Sequence, residues 1–543
     1  MPGLLVCALA TTCTPSRPYP VTPGAMGSLE SEFLRTRSLA DQIDVARAQG
    51  KPVGGLEPWY RDARSRLVAA LARTDSTRLA EEDRGALRAI RATTVASLTE
   101  NPATVVGDGS SEQVDCGYDA AALLQSRGPS MLGDRIMSCY GKAASQIPWD
   151  GKVIDRLTVF ALLGETEAGL RERLWLTLDP VWRSVNGDGS AQSPWRVLLR
   201  ARAERWREAG MPHVERARAL GVDPDSVAPW LERVLDAWRA ALPDTAIEPW
   251  DWYHFTGAAE RRLSPRVSRD ALLPVTRKWF SSLGADPERL RIQYDLEPRS
   301  GKYPVAYTTF GDRPREDGKG GWWPGAPAVF ATYRIGGLGN LVELLHETGH
   351  GIHIAGIRTR PAFADWPDSD TFTEAVADLA SLDAYEPRWQ VRMLGDSVPL
   401  TESLRSKYSG VILDVAWALF EMRMFAAPDQ DPNAVWTGIT SRYLRIRPHP
   451  ERSWWAMRGQ LVDGPGYMLN YALGAILTAQ LRARIRDVRG TWTDGDEGWY
   501  PWVGEALFRF GQAKPTREVV VEFLGEPIRP EALLRDLGRA QRP

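Results

Sequence analysis

The stretch His346-Glu-Thr-Gly-His350 constrains this chain more than any other. Leu341, Leu344, Leu345 and Ile352 recur around it at three- and four-residue spacing, so the segment from Asn340 to His353 predicts a helix. Asn340, after the breaker Gly336-Gly337-Leu338-Gly339, is the expected N-cap. Positions i and i+4 share one helix face, so both imidazoles can converge on a single ion. Glu347 lies one residue round, within reach of a metal-bound water without being a ligand. Zinc chemistry asks for this set: neutral nitrogen ligands, an open position for water and a nearby base. The opposing reading is two ordinary histidines on a buried helix. With six His in 543 residues, the pattern seldom arises by chance.

A zinc site of this kind needs a third protein ligand. His353 is on the same helix, but seven residues from His346 (353 − 346) is about 10 Å of rise. Zinc–nitrogen bonds are about 2 Å, so His353 is expected to pack or hydrogen-bond nearby. The metzincin pattern requires Gly at 353 and His at 356; this chain has His353 and Gly356, which excludes that class. Glu374 is the better third ligand. It stands in Asp370-Thr-Phe-Thr-Glu-Ala-Val-Ala-Asp378, 24 positions after His350 (374 − 350). That spacing leaves room for a loop and a second helix returning antiparallel. His346, His350 and Glu374 would then hold one Zn2+ per chain. A competing use exists, because Thr371-x-x-Glu374 also spells a capping box. Asp378 lies one turn after Glu374 on the same face. It is either a hydrogen-bond acceptor that fixes the tautomer of a ligand histidine or a solvated helix acid.

His346-Glu-Thr-Gly-His350 followed by Phe372-Thr-Glu374-Ala-Val-Ala-Asp378 resembles the gluzincin peptidases. The nearest are the thimet-oligopeptidase/oligoendopeptidase family and the angiotensin-converting-enzyme family. The 24-residue spacing and the acid four after Glu374 are similar to the converting-enzyme pattern. His353 and the upstream Tyr294-Asp-Leu-Glu-Pro-Arg-Ser-Gly-Lys302 are similar to the oligopeptidase pattern. Glu248-Pro-Trp-Asp251-Trp-Tyr253 resembles a segment of both, and the matches span roughly residues 245–480. The resemblance implies a large, mainly α-helical, two-lobed metallopeptidase fold with a deep central channel. It also implies a small sheet beside the zinc site, whose edge strand pairs with an extended oligopeptide substrate.

Asp463-Gly-Pro-Gly-Tyr467-Met-Leu-Asn-Tyr471 opens a predicted helix to about Arg486. By resemblance this entry carries the donor to the transition-state oxyanion, with Tyr471 the first choice and Tyr467 the second. The alternative for each is a core tyrosine with its hydroxyl tied elsewhere. Both families place a histidine roughly ten to twelve residues before that tyrosine. Here Arg458-Gly-Gln-Leu461 stands instead, leaving Arg458 or Gln460 as substitutes. No segment matches the converting enzyme's cationic pocket for a substrate C-terminus. The expected activity is therefore zinc-dependent hydrolysis of oligopeptides, with Glu347 as general base. A peptidyl-dipeptidase or carboxypeptidase on the same site is one alternative, and a non-catalytic zinc-containing binding protein is another.

The remaining chain divides into three expected segments: 1–27, a signal or lipoprotein segment and linker; 28–244, a helical N-terminal lobe; and 245–543, the catalytic lobe. Leu4–Ala10 is a short apolar run before Thr11-Thr12-Cys13, similar to the end of a bacterial signal or lipoprotein peptide. That reading puts a lipid anchor at Cys13 and the protein in the periplasm or cell envelope. The missing basic residue and Thr12 depart from it, and a cytoplasmic location is the alternative. Leu29–Ala48, Leu79–Thr99, Trp195–Ala209 and Val227–Ala241 all show helical periodicity. Arg291–Asp295, Val305–Phe310 and Ala328–Tyr333 read as a small antiparallel sheet. Cys116 and Cys139, on two neighbouring predicted helices, suit a hairpin disulfide or two buried thiols. His254 is expected to be a core or hydrogen-bonded histidine. A formal net charge of −2 carries no polybasic footprint for nucleic acid. No run of about twenty apolar residues predicts a transmembrane helix.

Overall fold

The computed structural model describes residues 26–99, 115–165, 167–299, 306–317, 319 and 321–541. The expected leader, with Cys7 and Cys13, lies outside them. The fold is mainly α, as the periodicity predicts. Helices cover Gly27–Ala48, Glu81–Thr99, Pro194–Ala209 and Pro224–Ala241, close to their expected bounds. Helix Ala120–Ser145 kinks at Gly128, whose φ of 81° and ψ of 174° precede Pro129. A proline ring disfavours α geometry in the residue before it, and glycine can adopt the left-handed alternative.

One apolar core extends from Ala120 to Ala540. Most of the abundant tryptophans belong to it, among them Trp175, Trp238, Trp279, Trp389, Trp436 and Trp455. A smaller core joins Met26, Leu29, Phe33, Leu67, Leu87 and Ile90 to Ala362. The first helices thus dock on the loop that links the two helices of the candidate site. No described helix is long and apolar enough to cross a membrane.

Three expectations are corrected by tertiary structure. The small sheet is mixed rather than antiparallel. Gln293–Asp295 pairs parallel with Ala328–Phe330, which pairs antiparallel with Tyr307–Thr309. Residue alternation shows which side chains share a face, but not the direction of the partner strand. The motif helix spans Leu338–Gly356 and begins before Asn340. Its first N–H, at Leu338, donates to Ser264 Oγ at 3.1 Å, so a distant serine serves as cap. Asn340 instead donates to the carbonyls of Ile335 and Gly336. Cys116 and Cys139 do form a disulfide, with Cα atoms 5.8 Å apart, but Cys116 lies in an extended segment before helix Ala120–Ser145 and not on a helix.

Candidate metal centre and active site

The helix Leu338–Gly356 and the helix Asp370–Ser381 pack side by side, and Met468–Arg489 packs on the second. The first approach depends on Gly349 inside the motif. A Cβ there would lie 2.2 Å from the Ala377 carbonyl oxygen, so only glycine lets the two backbones meet. This contact brings Glu374 opposite both histidines. His346 Nε2 and His350 Nε2 are 3.1 Å apart, and Glu374 Oε2 lies 3.4 Å from the first and 3.9 Å from the second. The capping-box use of Glu374 is not realised. Ser369 caps the helix through Phe372 N–H, and Thr371 donates to Asn470 Oδ1 at 2.8 Å.

Asp378 Oδ1 accepts from His346 Nδ1 at 2.8 Å and from Ser381 Oγ at 2.7 Å. With Nδ1–H committed to Asp378, Nε2 is the nitrogen that faces His350 and Glu374. Burial opposes charge on His346, but Asp378 and Glu374 outweigh it and hold the imidazole well above its ordinary range. Burial, then the charge of His346, pushes His350 down to about 4. Two imidazole nitrogens and one carboxylate oxygen, mutually within 4.8 Å, fit the donor set and span of a three-ligand zinc site. His350 Nδ1 has no hydrogen-bond partner among the described residues. Replacing Asp378 by Asn is expected to lower zinc affinity by about 10–100-fold, measured by chelator competition, with the helical spectrum retained. Unchanged affinity would remove Asp378 from the site.

Glu347 is buried, with 7% exposure. Thr308 Oγ1, on strand Tyr307–Thr309, lies 2.7 Å from Glu347 Oε2 and 2.8 Å from the Glu347 carbonyl. Burial raises the carboxyl to about 7, against the opposing pull of His346. Thr308 escaped the sequence reading. Nothing local marks it, because its role depends on which strand edge faces the motif helix. Trp366 escaped for the same reason. Its ring meets His350 at 5.8 Å and His353 at 5.7 Å. His353 is fully buried among Trp366, Phe372 and Phe508, so it packs as expected. His254 is hydrogen-bonded through Nδ1 to the Gly164 carbonyl at 3.0 Å.

His346, Glu347, His350, Glu374, Asp378, Thr308 and Trp366 open on one cavity of about 780 Å³, walled also by Ala306, Tyr307, Tyr467, Tyr471, Arg458 and Gln460. Tyr467 Oη donates to Glu374 Oε1 at 3.4 Å, which ties it to the carboxylate that faces both histidines. Tyr471 stacks edge-on to Tyr467, with centroids 5.5 Å apart. Burial and the charge of Glu374 raise the Tyr471 phenol above its usual value, so it remains a proton donor at neutral pH. Arg458 is ion-paired with Asp414 and lies over the Trp417 ring.

No protein-family model matches the sequence, and no curated protein matches it significantly. Among solved structures, the chain is similar to PZ peptidase A with an inhibitor, at 15% identity and a TM-score of 0.54, covering 96% of this chain and 98% of that one. It is similar to metallocarboxypeptidase 1 of Trypanosoma cruzi, at 15% identity and 0.52 over 96% and 99%. A carboxypeptidase of Pyrococcus furiosus matches at 14% and 0.53 over 96% and 100%. Over nearly its whole length, the chain shares the fold of these solved peptidases.

Proposed function

We propose that the chain is a zinc metallopeptidase that hydrolyses oligopeptides, of the gluzincin kind represented by the thimet-oligopeptidase and converting-enzyme families. One observation carries this reading. A buried carboxylate, Glu347, is held by Thr308 on the wall of the same cavity as the His346–His350–Glu374 cluster. A structural zinc site needs no such base and is usually closed by a fourth protein ligand.

Bound Zn2+ would supply Lewis acidity, lowering the pKa of a water from 15.7 to around 7. His346, His350 and Glu374 would hold it, with Asp378 fixing the first tautomer. Glu347 accepts the proton of the attacking water and passes it to the leaving amine. Tyr471 donates to the oxyanion of the tetrahedral intermediate. Tyr467, directed at Glu374, orients that carboxylate. Strand Tyr307–Thr309 lies at the edge of its sheet, and its residues Tyr307 and Thr308 wall the cavity. An edge strand suits backbone pairing with an extended peptide, which gives affinity without sequence readout.

A peptidyl-dipeptidase or carboxypeptidase reading uses the same chemistry. It is favoured by two structural neighbours that are named as carboxypeptidases. Digestion of a mixed peptide library by the zinc-loaded protein, read by mass spectrometry, separates the two. Internal cuts support oligopeptidase action, and cuts confined to one or two residues from the C-terminus support the second reading. A zinc-bound protein that cuts nothing overturns both in favour of a non-catalytic binding protein.

A further inference from the structure

We propose that Glu421 is a positioning residue for the oxyanion donor: it grips the backbone on either side of Tyr467 and so sets where Tyr467 and Tyr471 stand in the cavity. The idea rests on the peptidase reading and deepens it. Glu421 lies on the helix Leu400–Ala426, which packs along Met468–Arg489. It follows Asp414 by seven residues (421 − 414), two turns on one face, and Asp414 walls the cavity. Glu421 is 2% exposed. Its Oε1 accepts from the Gly466 N–H at 2.9 Å, and its Oε2 accepts from the Met468 N–H at 3.2 Å. Tyr467 is the residue between those two amides. It stands at the N-cap position of Met468–Arg489 and makes no side-chain cap of its own, so an acid from another helix supplies the cap.

The gripped turn is closely packed. Gly466 has a φ of 76°, and a Cβ there would lie 3.0 Å from Pro212 Cβ. Arg216 holds the same turn from the other side. Its guanidinium lies 5.3 Å over the Tyr467 ring, and its Nη1 donates to Asp370 Oδ2 and to Asn470 Oδ1, each at 3.1 Å. Asp370 opens the helix that carries Glu374. The backbone of Tyr467 is thus fixed by Glu421 and its ring by Arg216. Tyr471, one turn later and edge-on to that ring, follows both. Burial pushes the Glu421 carboxyl up to about 8, while the two N–H groups and Arg216 pull it down. Burying an acid costs stability, and here the acid serves the entry of the one helix that presents both tyrosines to the cavity.

The test compares zinc-loaded wild type, Glu421→Leu and Glu421→Gln, each with Tyr471 and with Tyr471→Phe, on a peptide that the wild type cuts. Leu removes both acceptor oxygens in either protonation state, and Gln keeps one. Glu421→Leu is expected to lower kcat about tenfold or more with KM within about twofold, and Glu421→Gln to lie between it and wild type. In the Tyr471→Phe background the same changes should lower kcat less than about threefold, because the hydroxyl that Glu421 positions is gone. A purely structural role would give the same fold loss in both backgrounds. That result, or wild-type kcat in Glu421→Leu, overturns the proposal and leaves the peptidase reading standing. If Glu421→Leu does not fold, Glu421→Gln carries the same comparison. If no peptide is cut, the fluorine NMR resonance of 3-fluorotyrosine placed at Tyr471 decides. A resonance moved or broadened by Glu421→Gln supports the positioning role, and an unchanged one overturns it.

Discussion

Replacing Glu347 by Gln is expected to leave zinc content unchanged and to lower kcat by two to four orders of magnitude, about 3–5 kcal/mol of barrier. The substitution keeps the shape of the side chain and an oxygen for the Thr308 hydroxyl, which now lies 2.7 Å from the carboxylate. It removes the one function a carboxylate adds, accepting a proton. The effect is large because no other carboxylate can stand in. Glu374 faces the two histidines, and Asp378 is engaged with His346 and Ser381. Burial pushes the carboxyl of Glu343, one turn earlier on the same helix, above its usual range. The measurement is single-turnover cleavage of a peptide found by the library digest, alongside metal analysis. Activity within tenfold of wild type, with zinc retained, would sink the general-base mechanism. Loss of zinc would show that Glu347 supports the metal cluster rather than the proton transfer.

How much of this site could be read from the chain depends on how local each contact is. His346 and His350 are four residues apart on one helix, so their convergence follows from helix geometry alone. Glu374 required one further step, a second helix close enough to supply a ligand, and Gly349 is what allows that closeness. The two tyrosines were placed by resemblance, and both line the cavity. The N-cap at Asn340 failed because the capping oxygen belongs to Ser264, far away in sequence. The strand directions failed because pairing partners are chosen by the whole fold. Thr308 and Trp366 were invisible for the same reason. Each acts on a residue distant in sequence, and no spacing rule links them.

Replacing Arg313 by Met is expected to destabilise the fold by about 3–5 kcal/mol, the usual cost of removing one partner from a buried ion pair. Arg313 is 2% exposed. Its Nε and Nη2 grip Asp41 at 2.6 and 3.1 Å, and its Nη1 donates to the Ala364 carbonyl at 2.8 Å and lies 3.0 Å from Asp365 Oδ2. The guanidinium also covers the Phe310 ring at 4.2 Å. Methionine matches much of the apolar stem but leaves two buried acids with Arg37, which reaches only Asp365 directly. Asp41 would then sit desolvated and unpaired, and it is this stranded charge that makes the loss large. A double variant tests the account. Asp41→Asn with Arg313→Met should be more stable than Arg313→Met alone in urea denaturation. If it is less stable, packing and not charge governs the site. The same change reaches the candidate metal centre by a short path. Ala364 and Asp365 precede Trp366, whose ring rests on His350. Losing the Arg313 grip frees both that backbone and helix Gly27–Ala48, which carries Asp41. The Arg313→Met protein should therefore hold zinc more weakly at temperatures where it is still folded, and Asp41→Asn in the same background should recover stability more than affinity, since the Ala364 contact stays broken.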